Sequence, residues 1–336
     1  MSTEIALLTA DVEALTRRAL LNAGARAEQA DALAVSVAAA EADGIASHGL
    51  AYVPIYCEHL RCGKVNAGAA PRVSTHGSVV RVDADAGFAH LPIRLGFAAL
   101  VPLAKQLGAA VMAVTNSYNC GVLAYHTEAL ASEGLVALGF TNAPASIAPW
   151  GSATPVLGTN PWSLAVPDGD GGVHFVIDQS SSTVAKSEVV RHRREQRPLP
   201  DGWALDRDGR PTNSADAALD GGSMAPAGGY KGVGNALMVE MFAACLAGAT
   251  PGVSASPFSG TAGGPPRTGQ FFIAIEPGAT SGGAFDTTLQ AVMKAFAAAP
   301  GARLPGTRRR AARTRHRDEP IAVNAAVHEA VAALAA

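Results

Sequence analysis

The stretch AAVMAVTNSYNCGVLAYHTEAL, residues 109–130, decides how the chain folds. It opens on an apolar, β-branched run of strand length, AAVMAVTN at 109–116, and closes on the helical spacing of VLAYHTEAL. A Rossmann unit carries G-x-G-x-x-G at such a strand-to-helix turn, because glycines let the backbone approach a pyrophosphate. Here the turn is NSYNCG, with its one glycine at position 121. The nearest glycine spacings elsewhere, GDGGVH at 169–174 and GVGNAL at 232–237, each lack the third glycine. A dinucleotide held by this chain is therefore not held on an ordinary Rossmann turn.

The turn still leads into a helix whose first N–H groups are free and whose dipole presents its positive end, an arrangement that receives a phosphate. A plain helix cap by Asn119 accounts for the same residues.

Working outward, VVRVDA at 79–84, LVALGFTN at 135–142, VHFVID at 173–178 and QFFIAIEP at 270–277 read as further strands. IRLGFAALVPLAKQLG, VLAYHTEALASEG, LMVEMFAACLAG and FDTTLQAVMKAFAAA read as helices between and after them. The middle of the chain is thus α/β. Two stretches, 142–161 and 197–234, lack periodicity and read as ordered loops, a length that usually signals function. Before Pro71 the pattern is purely helical: 9–23 and 27–42, with Gly24 and Gly44 as stops, then a third helix from Leu50 to Cys62 ended by Gly63. The boundaries expected are a helical lobe over 1–70 and an α/β region over 71–299, with room for a division into two.

Composition narrows the function. The 336 residues are 48% hydrophobic and 16% charged with a formal charge of −2, which implies no nucleic-acid partner. No apolar run approaches the ~18 residues of a membrane span, and the N-terminus lacks the basic start of a signal peptide. A cytoplasmic protein is expected. The four cysteines, Cys57, Cys62, Cys120 and Cys245, are too scattered for a disulfide framework. Cys57, His59 and Cys62 make a poor metal site, since helical positions 57 and 59 point about 200° apart; no metal is expected. Neither a P-loop nor G-x-S-x-G occurs.

What remains is a series of glycine-punctuated polar clusters: ASHG at 46–49, NSYNCG at 116–121, GTNP at 158–161, DQSSSTVAKSE at 178–188, GGYKG at 228–232 and LPGTRR at 304–309. His48 sits between a serine and a glycine at a helix joint, the only one of nine histidines so placed. An imidazole titrates near neutrality and is suited to giving or taking a proton beside a carbonyl or imine, although a lone histidine is more often a satisfied interior group. Ser47 is placed to orient it, and Glu188 or Asp178 to fix its tautomer. Six arginines between Arg308 and Arg317 read either as a solvated helix face or as a phosphate site.

Taken in order, DGIASHGL, YCEHLRCGKV, NSYNCG, GFTNAPASIAPWG, LGTNP, LPDGWALDRDGRPT, GGYKG and LPGTRR resemble the malate/L-lactate dehydrogenase family of the non-Rossmann type over nearly the whole chain. The resemblance implies a non-Rossmann NAD(P)-binding α/β fold: a mixed sheet flanked by helices, plus a helical lobe in which 300–336 completes 1–70. It also implies a homodimer. The proton donor or acceptor would be His48 with Ser47 beside it, and the acid of a Ser-His-acid relay would be Glu188. Cofactor would be held by Cys120, Gly121, Val122, Leu123 and Ala124, by Asp178, Gln179 and Ser180, by Gly229 and Tyr230, and by Leu304, Pro305, Gly306, Thr307, Arg308, Arg309 and Arg310. Substrate would meet Tyr52, Thr159, Lys186 and Ser187.

Two positions depart from the usual pattern. Tyr52 stands where most members carry an arginine that would grip a carboxylate, and Asn119 and Cys120 replace the histidine and phenylalanine of N-S-x-H-F-G. NCGVLAYHTEAL and GFTNAPASIAPWG resemble the branch that reduces cyclic imines. The expectation is reduction of Δ1-pyrroline-2-carboxylate to L-proline, and of Δ1-piperideine-2-carboxylate to L-pipecolate, within hydroxyproline or lysine breakdown. NADPH is expected as cofactor, with NADH as the alternative. The competing reading is a 2-hydroxy-acid dehydrogenase of the malate, lactate or ureidoglycolate kind, and a third is a non-catalytic ligand-binding protein.

Overall fold

The computed structural model describes residues 3–336. A short strand, β1 (Glu4–Leu7), leads into α1 (Thr9–Asn22) and α2 (Ala27–Ala42). The segment expected as one helix from Leu50 to Cys62 opens as a 3-10 turn, Leu50–Tyr52, and continues as α3 (Val53–Arg61), while another 3-10 turn, Ala46–His48, precedes Gly49. Pro54 explains the boundary, since proline starts a helix readily but cannot donate inside one.

Next come β2 (Arg72–His76), β3 (Val79–Asp83), α4 (His90–Leu107), β4 (Ala109–Ser117), α5 (Leu123–Ala131), β5 (Val136–Thr141), β6 (Trp162–Pro167) and β7 (Val173–Gln179). After them α6 (Lys186–Arg194), β8 (Ala204–Leu205), β9 (Pro211–Thr212), α7 (Ala215–Leu219) and β10 (Ser223–Met224) form a small unit. α8 (Tyr230–Glu240) runs on into a π-helical segment, Met241–Leu246. The chain ends with β11 (Thr268–Ile275), α9 (Pro277–Ser281), α10 (Phe285–Ala298), α11 (Thr307–Arg315), β12 (Ile321–Asn324) and α12 (Ala325–Ala335).

Seven strands form one mixed sheet in the order β2-β3-β4-β11-β5-β6-β7, and β3 with β4 is its single parallel pair. β11 is inserted between β4 and β5, antiparallel to both. A Rossmann crevice needs adjacent parallel strands joined by helices. Here the strand that would be β4's parallel neighbour is displaced by one made about 150 residues later in sequence, as the pairing of Thr268 with Ser117 records.

That topology places the polar clusters. β4, β5 and β7 all run in one direction, so Ser117, Thr141 and Gln179 end at the same edge of the sheet as the start of β6 at Trp162. NSYNCG, GTNP and DQSSS therefore share one rim, the usual place for ligand contacts in α/β sheets.

Three cores support this rim. In the first, Val12, Ala19, Leu33, Leu50 and Val53 are wholly buried together with Val331 of α12, while β1 pairs with β12 through Glu4 with Asn324 and Leu7 with Ile321. A second fills the face of the sheet beneath α4 and α5 with Val80, Leu100, Met112 and Phe272. A third, around Ile147, Val189, Leu199 and Met224, belongs to the small unit. The stretch 197–234, expected as a loop, thus holds β8, β9, β10 and α7. Strands of two residues leave no alternation to count.

Candidate active site

The His48 joint is set by a buried acid. Glu41, near the end of α2, is 5% exposed, and its Oε1 accepts the amide of Leu50 at 2.7 Å. Burial raises its pKa against the lowering effect of that hydrogen bond. Any side chain at position 49 would place its Cβ 2.2 Å from the same oxygen, so the chain must pass through Gly49. His48 is half-buried on the first 3-10 turn, with Nδ1 3.1 Å from Ser47 Oγ. Loss of solvent around the ring lowers its pKa, and Nε2 has no partner among the described residues.

Four residues on, Tyr52 donates its hydroxyl to the Phe258 carbonyl at 3.3 Å and accepts from Asn119 Nδ2 at 3.4 Å. Burial pushes the Tyr52 phenol up to about 12, so it presents an uncharged wall. Asn119 Oδ1 in turn accepts from the Tyr56 hydroxyl at 3.3 Å and from the Gly121 amide at 3.2 Å. The loop behind this wall is pinned by Lys64, which is fully buried and donates to the carbonyls of Pro257 at 2.6 Å and Gly260 at 3.1 Å. His59 is committed to the same structure through Tyr118 and the Gly260 carbonyl.

At the sheet rim, α5 is capped by Asp178, not by Asn119. Asp178 Oδ2, from the end of β7, accepts the Ala124 amide at 2.8 Å in the first turn of the helix. Crowding by protein raises the Asp178 pKa, opposed by that amide and by the nearby Arg309. Cys120, Val122, Leu123 and Ala124 are buried, and burial raises the Cys120 thiol to about 12, so this segment offers a ligand its backbone rather than its side chains. Gly121 takes a left-handed φ of 65°. Ser180 reaches the Thr159 carbonyl at 3.0 Å and Ser182 at 2.7 Å, which joins DQSSS to GTNP, and Gln179 is exposed.

Lys186 Nζ lies 3.3 Å from Ser146 Oγ with no carboxylate partner among the described residues, and desolvation lowers its pKa. Ser187 follows it in the first turn of α6. Glu188 is 2.6 Å from Arg191 and is not hydrogen-bonded to His48; the ring's side-chain partner is Ser47. Gly229 has φ 66°, and a Cβ there would meet the Trp150 ring at 3.2 Å; Trp150 and Tyr230 stand exposed edge to face, 6.4 Å apart.

The arginine cluster divides its work. Arg309 bonds Asp43 at 3.0 Å and Glu128 at 2.7 Å, and Arg313 bonds the same two acids at 2.6 and 2.7 Å. Arg310 donates to the carbonyls of Val173 and His174 at 2.8 and 2.7 Å. Arg308 is exposed and makes no ion pair among the described residues. Leu304 accepts from Thr307 at 2.7 Å, exposed Pro305 precedes Gly306, and a Cβ at Gly306 would fall 2.7 Å from Val176. A cavity of about 320 Å³ lies beside this segment, lined by Gly171, Gly172, Val176, Gly306 and Arg310 and separate from His48.

One network went unseen in the sequence. Asn160, wholly buried, donates to Glu240 Oε2 at 2.7 Å; Glu240 Oε1 accepts from Gly252 at 2.6 Å and from Asn142. Asn142 Oδ1 accepts from Gly269 at 2.8 Å. These bonds order the 142–161 loop against α8 and β11. The available signal was Glu240 itself, a lone acid inside the apolar run LMVEMFAACLAG.

The model of the family described as malate/L-lactate dehydrogenase matches residues 8–332. The (2R)-3-sulfolactate dehydrogenase (NADP(+)) of Chromohalobacter salexigens is 43% identical over 325 residues, covering 97% of this chain and 96% of that protein. The Δ1-pyrroline-2-carboxylate reductase of Ancylobacter novellus is 38% identical over 338 residues, covering 99% and 98%. The crystal structure of Δ1-piperideine-2-carboxylate reductase from Pseudomonas syringae pv. tomato superposes with a TM-score of 0.92 at 34% identity, covering 98% of this chain and 99% of that one.

Proposed function

Because the chain belongs to the malate/L-lactate dehydrogenase family, we propose that it reduces the C=N bond of Δ1-pyrroline-2-carboxylate to give L-proline, and that of Δ1-piperideine-2-carboxylate to give L-pipecolate. The observation that carries this reading is the neutral surround of His48: a desolvated imidazole bonded to Ser47, beside an uncharged wall of Tyr52 and Asn119. A site for a dianionic oxo acid needs a second cation facing the reactant, because an unpaired buried charge is costly. A cyclic imine carboxylate carries one carboxylate, for which Lys186, without a carboxylate partner among the described residues, is the candidate cation.

The residues fit a nicotinamide dinucleotide. The turn at Cys120 to Ala124, the rim at Asp178 to Ser180, the Gly229–Tyr230 turn and the cavity at Gly306 are the segments that would hold it, and Arg308, without an ion pair among the described residues, is the guanidinium for a 2′-phosphate. NADPH is the preferred cofactor in this reading, with NADH as the alternative. When bound, the reduced nicotinamide supplies hydride to C2 of the imine. The protein's own part is protonic: His48 delivers a proton to the imine nitrogen, and Ser47 holds the ring through Nδ1 so that Nε2 faces the reactant. Protonation matters because an iminium accepts hydride far more readily than a neutral imine. Glu188 joins this relay only by leaving Arg191. The protein acts as a cytoplasmic homodimer in this reading. Among the described residues no helix is long and apolar enough to cross a membrane, and α8 exposes an apolar row that self-association would cover.

A second reading is favoured by one finding, the 43% identity to a sulfolactate dehydrogenase. In that case His48 takes the hydroxyl proton of a 2-hydroxy acid. Following NADPH oxidation with pyrroline-2-carboxylate, pyruvate and oxaloacetate, and NADP⁺ reduction with (2R)-3-sulfolactate, separates the two. Turnover of the acids without the imine would overturn the first reading.

A further inference from the structure

Asn119 makes three hydrogen bonds that no part of the proposed chemistry requires. Its Oδ1 accepts the Gly121 amide at 3.2 Å and the Tyr56 hydroxyl at 3.3 Å, while its Nδ2 donates to Tyr52 Oη at 3.4 Å. Tyr52 ends the second of the two 3-10 turns, four residues beyond His48, and Tyr56 lies one turn further along α3 with its ring 4.7 Å from that of Tyr52. Gly121 begins the left-handed turn into α5. One amide therefore ties the His48 joint to the turn at the sheet rim, two segments about 70 residues apart in sequence.

The bonds are directional. Tyr52 Oη gives its proton to the Phe258 carbonyl and so must accept from Asn119. This requires the amide nitrogen to face Tyr52 and the amide oxygen to face Gly121 and Tyr56. Asn119 sits between Tyr118 and Cys120, each 1% exposed, and of its three partners Tyr56 is 1% exposed while Tyr52 and Gly121 are half-buried. A shift of the rim turn is thus transmitted to the helix joint rather than absorbed.

We propose that Asn119 is a positioning residue that fixes the His48 joint against the Cys120–Ala124 turn, and so sets the proton donor in register with the cofactor. This rests on the proposed function, in which His48 protonates and the turn binds the dinucleotide. Both polar atoms of Asn119 are engaged by protein partners. It acts through two arms: the Oδ1 arm holds the turn, and the Nδ2 arm holds Tyr52.

The arms are separable by mutation. Asn119→Ala removes both. Tyr52→Phe keeps the ring and removes the hydroxyl, and with it the second arm and the bond to the Phe258 carbonyl. The Oδ1 arm is two neutral hydrogen bonds and the Nδ2 arm one, and loss of either arm is expected to have about a tenfold effect. The measurements are NADPH dissociation constants from nicotinamide fluorescence, kcat for the fastest-turned-over substrate, and Tm as a check on folding. Asn119→Ala is expected to weaken NADPH binding about tenfold and to lower kcat about tenfold. Tyr52→Phe is expected to lower kcat to a similar degree with NADPH affinity retained, and the two kcat losses should not multiply in the double variant.

An unchanged NADPH affinity in Asn119→Ala, or kcat losses that multiply in the double variant, overturns the proposal. A purely structural role would lower Tm without separating affinity from kcat. If the wild type turns over hydroxy acids and not imines, the substrate reading fails while these measurements still decide the role of Asn119. A wild type that binds neither NADPH nor NADH removes both.

Discussion

Glu41 Oε1 occupies the space where a side chain at Gly49 would begin, with 2.2 Å between that oxygen and the position of a Cβ. The glycine after His48 is thus required by a buried acid on the preceding helix. Its φ of −92° imposes no such requirement. Gly49→Ala must displace Glu41, which also holds the Leu50 amide, and is expected to cost about 1–3 kcal/mol of stability, read as a fall in Tm. Glu41→Ala in the same chain should restore part of the loss by making room. Equal Tm losses in the single and double variants would refute the steric cause.

Glu41 also predicts a pH dependence. Burial raises its pKa in the folded state, so the folded protein binds a proton more readily than the unfolded chain. Stability is therefore lost as pH rises from the unfolded carboxylate value through the raised folded one. Glu41→Gln keeps an acceptor for Leu50 and carries no charge. It should raise Tm at pH 7, with the advantage shrinking as pH falls toward 4.

For His48 the shift is downward and its consequence is catalytic. Desolvation lowers the ring's pKa, so the protonated form needed to protonate an imine is depleted above a value lower than the ordinary ~6.5. The kcat/KM for imine reduction should fall as pH rises through that lowered value, while the reverse oxidation should gain. His48→Ala is expected to lose about 10²–10⁴-fold in imine reduction and its descending limb with it. Retention of that limb would assign the proton to another group.

The broad architecture was legible because long elements carry countable periodicity: α1, α2, α5, β4, β5 and β7 lie within a residue or a few of where spacing put them. The His48 joint was legible as Ser-His-Gly. Missing were β2, exposed along its whole length, β6, whose WSLAVP abuts a proline, and the termini β1 and β12, each four residues long and meaningful only as a pair. The insertion of β11 between β4 and β5 was also invisible, because strand order depends on contacts that no local pattern records. Among site residues, the arginine trio at 308–310 looked uniform in sequence. Only packing reveals that two of the three already have partners.

That division gives a test of cofactor choice. Asp43 is 4% exposed at its side chain and pairs with both Arg309 and Arg313. Asp43→Ala leaves the largely buried Arg309 short of a partner and is expected to cost about 3 kcal/mol, measured by denaturant unfolding. Arg308→Ala should leave stability unchanged and raise the KM for NADPH about tenfold, with that for NADH unaltered. A matching rise for both cofactors would show that Arg308 does not meet the 2′-phosphate.

The outward face of α8 and the π-helical segment after it exposes Leu237 by 50%, Met241 by 43% and Leu246 by 63%. These positions recur at intervals of four and five, so they form one stripe along the helix. An isolated exposed leucine needs no explanation, whereas a row of this kind is the usual mark of a covered surface. A second copy of the chain would bury it in a homodimer. Met241→Glu places a charge at the middle of the row, where desolvating it against an apolar partner is costly. Light scattering on the wild type should give twice the chain mass, and the variant should give one chain mass at micromolar concentration with its circular dichroism retained. A variant that remains dimeric would move the interface off this helix, and a monomeric wild type would remove it.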